Sequence, residues 1–111
     1  MRVIACPLAE YPTASITLPD RWLGSHAERR DEAIEALDKN ARYKGATLRS
    51  FAVSMALLED WDLPGLAGNP DKWDFSQIDL SLIAWVNGAV LTDYGMCFIV
   101  PKALSVALPD G

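Results

Sequence analysis

One histidine, His26, and two cysteines, Cys6 and Cys97, are all this chain offers of the usual zinc ligands. A closed zinc site needs four ligands, commonly in close Cys pairs, so the arithmetic excludes a zinc knuckle. The cysteines lie near opposite ends. Two buried free thiols in a reducing compartment are expected, with a Cys6–Cys97 disulfide as the alternative. The single histidine has no adjacent base or nucleophile in register, so it reads as an exposed first-turn residue rather than a catalytic group. Basic residues are outnumbered, ten against fifteen acidic, for a net charge of −5. That balance argues against duplex nucleic acid, which demands a basic face. No apolar run approaches the roughly 20 residues that span a bilayer. The N-terminal MRVIACPLAEYP is broken at Pro7, short of a secretory signal core, which predicts a cytoplasmic protein with no membrane partner. Repeats and low-complexity tracts are missing as well.

What is present fits a small globular domain. Half of the 111 residues are apolar and 23% are charged, close to the average for folded proteins. The acid is uneven. Residues 20–58 carry seven basic and six acidic residues, whereas residues 59–111 carry eight acidic residues against Lys72 and Lys102. An acidic C-terminal half favours solubility and a basic partner without specifying one.

The pattern predicts a mainly α fold: a small three-helix domain with short extended or β arms at both termini. The expected organisation is one domain, 1–111, with an N-terminal arm (1–19), a helical core (20–94) and a C-terminal extended tail (95–111). Arg2–Cys6 is a short apolar run ended by Pro7. Ala14–Leu18 alternates around Ile16 and Leu18, as an extended arm or edge strand does. Ser25 and Glu28 have capping-box spacing, opening a helix to about Asn40. Its apolar stripe, Ala27, Ala33, Ile34 and Leu37, is narrow. Thr47 is the expected cap of a second helix to about Asp60. Leu48, Phe51, Ala52, Met55 and Leu58, with Val53, Ala56 and Leu57 beside them, make it the central core helix. Trp73–Ile78 suggests a short helical turn. Asp79 or Ser81 caps a third helix through Tyr94, with Leu80, Ile83, Ala84, Asn87, Val90 and Leu91 on one stripe. Gly95 ends it, and Gly88 weakens it or permits close helix contact.

Several patterns suggest chemistry and fail on inspection. Asp60, Asp62, Asp71, Asp74 and Asp79 lack the alternating spacing, central glycine and terminal glutamate of a calcium loop. Gly65–Gly68 is followed by no Lys-Ser/Thr, so it is no phosphate loop. Arg29, Arg30, Lys39, Arg42, Lys44 and Arg49 are diluted by nearby acids and read as a solvated helix face. The expectation is a non-enzymatic chain with no catalytic residue, metal or cofactor. The segment Trp61–Val86 stands out instead, with three of the four tryptophans around Pro-Gly and Asn-Pro turns. Loop aromatics are what protein interfaces favour. Trp22, Trp61, Leu66, Trp73 and Phe75 are the candidate partner-binding residues, with Trp22 and Trp73 foremost and Trp85 assigned to the core.

Three stretches, SITLPDRWLGSHAERRDEA (Ser15–Ala33), LLEDW (Leu57–Trp61) and GNPDKWDFSQIDLSLIAWV (Gly68–Val86), resemble small tail-assembly proteins of long-tailed bacteriophages, of the tail-assembly-chaperone type. The resemblance implies a small acidic helical protein in the host cytoplasm. It would hold the hydrophobic tape-measure protein, or another tail protein, soluble during tail assembly. The strand-like ends depart from that pattern. They leave open a virion structural subunit, such as a head–tail connector or minor tail protein, with homo-oligomers. A phage-encoded inhibitor of a host protein is the third reading.

Overall fold

The computed structural model describes residues 1–39 and 43–107, with backbone only for 96–107. It contains three helices and a three-stranded antiparallel sheet, and about half of the chain is helical. Strands β1 (Arg2–Ala5) and β2 (Ser15–Leu18) form a hairpin, with Ile4 opposite Ile16 and Arg2 opposite Leu18. Pro7 stops the first strand, and Cys6 N–H still donates to the Ala14 carbonyl at 2.9 Å. Ala14–Leu18 was expected as an arm or edge strand. It is the central strand, because β3 (Asp60–Asp62) pairs on its other side with Ile16 opposite Trp61. The alternation has the usual cause: Ile16 and Leu18 point into the core while Ser15 and Thr17 stay half-buried.

Helix α1 (Gly24–Leu37) begins without the expected Ser25–Glu28 box. Leu23 is the N-cap, and His26 Nδ1 accepts the Leu23 N–H at 2.9 Å. His26 therefore performs the return half of a capping box, in which the third helical side chain satisfies the cap's own amide. An amide can donate only to an unprotonated Nδ1, so the ring proton sits on Nε2 and faces Glu59 Oε1 at 3.1 Å. The expectation of an exposed histidine is thus corrected: His26 is buried, with the Trp22 ring edge-on at 5.2 Å.

Helix α2 (Gly45–Leu57) starts at Gly45, whose φ of +79° a side chain would disfavour. Thr47 lies inside the helix and is not its cap. The helix ends at Leu57 rather than Asp60, because Glu59 N–H turns to the Thr17 carbonyl at 2.9 Å and feeds β3. Phe51 and Leu57 have no exposed surface, and full burial of such side chains contributes about 1.5–3 kcal/mol each. α2 packs on α1 along one flank and on α3 along the other.

Helix α3 (Leu80–Ala107) opens where Asp79 Oδ1 accepts the Ser81 N–H at 2.8 Å. Two turns of 3₁₀ helix, Pro70–Lys72 and Phe75–Gln77, precede it. The buried stripe is Leu82, Ile83, Val86, Val90 and Tyr94. Leu80, expected on that stripe, is 66% exposed. The helix also runs past Gly95, so the expected extended tail is corrected over 95–107. Gly95 is not in the left-handed conformation that a glycine stop uses. In a helix interior glycine costs only about 1 kcal/mol. The backbone stays helical through Pro101, which removes one amide donor. Residues 108–111 of the expected tail and the Cys97 side chain lie outside what is described, so the Cys6–Cys97 question does too; Cys6 is buried.

Candidate partner-binding surfaces

The aromatic segment folds inward more than its composition suggests. After β3 the chain turns at Gly65 and Gly68, at φ of +79° and +74°. Between those turns the Leu66 carbonyl accepts Trp61 Nε1–H at 2.7 Å, and the Ala67 carbonyl accepts Trp73 Nε1–H at 3.2 Å. Both indoles are thereby satisfied inside the fold, and their rings meet edge to face at 6.0 Å. Trp73 also packs against Phe51 and Phe75, and Phe75 against Tyr43.

This arrangement sorts the candidate residues. Leu66 has no exposed surface and Trp73 is only 5% exposed, so both belong to the core. Trp22 is half-buried as a brace: its Nε1–H donates to Asp93 Oδ2 at 2.8 Å, and its ring meets Tyr94 edge-on. Trp61 and Phe75 are half-buried, as is Trp85. Trp61 and Trp73 do share an apolar hollow of about 200 Å³ with Tyr43, Ala52, Met55, Ala56 and Pro70. It is the size of one large side chain. Leu66 and Phe75 are not among its lining residues, and Trp22 belongs to another part of the fold.

A second surface lies between the three helices. α1 and α3 flank α2 like two walls, and a trench runs between them. One part, about 280 Å³, is lined by Arg30, Ile34 and Leu37 of α1, Arg49, Ser50 and Val53 of α2, and Leu91 of α3. It continues across Ser50 and Leu91 into a shallower part of about 380 Å³, lined also by Ala46, Thr47, Asn87 and Gly88. Small residues, Ala46 and Ser50 on α2 and Gly88 on α3, keep this part shallow and open. A Cβ placed on Gly88 would meet nothing within 4 Å. Asn87 fastens the far end, donating from Nδ2 to the Thr47 carbonyl at 3.3 Å, while the buried Ser54 hydroxyl lies 3.1 Å from Asn87 Oδ1. At 100° per residue, Ala52 and Ala56 sit on a different side of α2 from Ala46, Ser50 and Val53, so trench and hollow are separate surfaces.

The sequence held partial signals for the trench. Ile34 and Leu37 made a narrow stripe, Gly88 admitted close approach, and Arg30 and Arg49 belonged to a face read as merely solvated. Their convergence needed three helices in place. Among the described residues no group of three or more His, Cys, Asp or Glu side chains is arranged to hold a metal ion. Among them, too, no helix is long and apolar enough to cross a membrane. Compared with known proteins, the chain matches no family model, no curated protein and no solved structure.

Proposed function

We propose that this chain is a non-enzymatic phage tail-assembly protein of the host cytoplasm that holds a hydrophobic helical segment of a tape-measure-like partner. The observation that carries the reading is the trench. Its deeper part presents Ile34, Leu37, Val53 and Leu91 between the α1 and α3 walls, and its shallower part, between α2 and α3, presents the small residues Ala46, Ser50 and Gly88. A helix laid in such a groove buries an i, i+3, i+4, i+7 stripe without any change of fold in the host. The resemblance of Ser15–Ala33, Leu57–Trp61 and Gly68–Val86 to tail-assembly chaperones supplies the biological setting. Mass spectrometry of the tagged protein captured during infection, alongside purified virions, tests the reading. Recovery with a long helical phage protein and absence from virions supports it. Recovery with a host protein alone overturns it in favour of an inhibitor.

A virion-subunit reading is favoured by one observation of its own. β1 is an edge strand, and among the described residues no strand pairs with its outer side. The register that points Cys6 N–H at Ala14 turns the Val3 and Ala5 backbone groups outward. Val3 is 67% exposed beside them. Such an edge accepts a neighbour's strand. Presence in virions at fixed copy number decides for this reading.

A further inference from the structure

We infer that the helix received by the trench is an acidic one: its apolar stripe is flanked by carboxylates that meet Arg30 and Arg49. This rests on the trench receiving a helix at all, and it names the chemistry of that helix. Of all the residues lining the two parts of the trench, Arg30 and Arg49 alone are charged. Arg30 stands on the α1 wall, and Arg49 of α2 reaches Asp38 at the end of that wall, so both flank the apolar lining of Ile34, Leu37, Val53 and Leu91. A guanidinium offers a planar fork of donors matched to a carboxylate.

Both arginines are open to such a visitor. Their side chains are 42% and 40% exposed. Each has an acidic neighbour on the rim: Asp31 is 3.9 Å from Arg30, and Asp38 is 3.2 Å from Arg49. Asp31 and Asp38 are themselves 76% exposed. Exposed pairs of this kind contribute little to stability, so an incoming carboxylate displaces them at low cost. A basic helix faces the opposite situation, because its cations would lie beside two guanidiniums as apolar surface closes over them. The charge of the whole chain points the other way, but it resides elsewhere. The acidic excess sits in residues 59–111, and although α1 and α2 themselves carry four acidic residues against three basic, none of the four lines the trench.

The test uses the full chain and two amphipathic peptides of about 18 residues, long enough for several helical turns. Both carry the same leucine stripe, flanked by glutamates in one and by lysines in the other. Fluorescence anisotropy of labelled peptide reads the affinity, and circular dichroism checks the fold of each protein variant. The glutamate peptide is expected to bind about tenfold tighter or better, with the gap narrowing at high salt. In Arg30→Glu/Arg49→Glu the preference reverses; the milder Arg30→Gln/Arg49→Gln removes it, and serves if charge reversal disturbs the fold. Equal affinity of the wild type for both peptides overturns the acidic-helix inference and leaves the trench reading standing. Binding of neither peptide overturns both. A preference for the lysine peptide also overturns the inference.

Discussion

Arg2 and Asp93 meet in a two-pronged ion pair: Nη1 donates to Oδ1 at 2.9 Å and Nη2 to Oδ2 at 2.7 Å. Strand β1 is thereby tied to the middle of α3, ninety-one positions away along the chain. The same guanidinium donates from Nε to the Pro19 carbonyl at 2.9 Å, and Trp22 adds its indole N–H to Asp93. The hairpin, the entry to α1 and helix α3 are thus fastened at one carboxylate.

The Arg2 hydrogen bonds hold the Asp93 carboxyl below its ordinary range, aided by Trp22 and opposed by partial burial. A depressed carboxylate contributes stability above its unfolded-state value of about 4, and that stability is lost as pH falls through the folded value. Asp93→Asn is expected to cost about 1 kcal/mol at neutral pH, in keeping with a charge-assisted but partly exposed pair. Its deficit against the wild type shrinks as pH falls below about 4. Urea unfolding at neutral and acidic pH checks this; a deficit that stays constant across the range contradicts it.

His26 carries a local rather than a chemical role. Replacing it with alanine strips the Leu23 amide and the Glu59 carboxylate of their partner in one step. Losing a cap and a buried hydrogen bond together costs about 2 kcal/mol. Urea unfolding of His26→Ala reads that loss. A variant as stable as the wild type would show that neither the ring's hydrogen bonds nor its packing contributes to stability.

Trp73 was attractive as a surface anchor, yet its ring is buried among Phe51, Trp61 and Phe75. Trp73→Ala is therefore expected to destabilise the protein by about 3–5 kcal/mol, the range for deleting a large buried aromatic. Thermal melting decides. An unchanged transition would mean that the aromatic cluster is not part of the core.

What was legible in the sequence was whatever a local pattern dictates. The stripe Leu48, Phe51, Met55 and Leu58 placed the core helix, the alternation at Ile16 and Leu18 marked a strand, and Asp79 marked the start of α3. What was not legible depends on distant partners. β3 is three residues, Asp60–Asp62, without an apolar signature; it exists because β2 has a free edge to satisfy. His26 is buried only because Trp22 and Glu59 close over it. Gly95 looked like a stop, but glycine ends a helix only where the backbone turns left-handed. The trench is the extreme case, since no single helix of the three carries its pattern.

Gly88 gives the most direct test of the trench. It lines the shallow part, and a Cβ built there meets nothing within 4 Å, so a larger side chain starts without a clash and grows into the groove. Replacing a helix-interior glycine also favours folding, by up to about 1 kcal/mol. The measurement is the affinity of wild type and Gly88→Leu for the same amphipathic helical peptide, with the melting temperature of each protein recorded alongside. The wild type is expected to bind, and Gly88→Leu, melting at the same temperature or higher, to bind about tenfold more weakly or worse. Equal affinity in the two proteins, or no binding by the wild type, would contradict the trench reading.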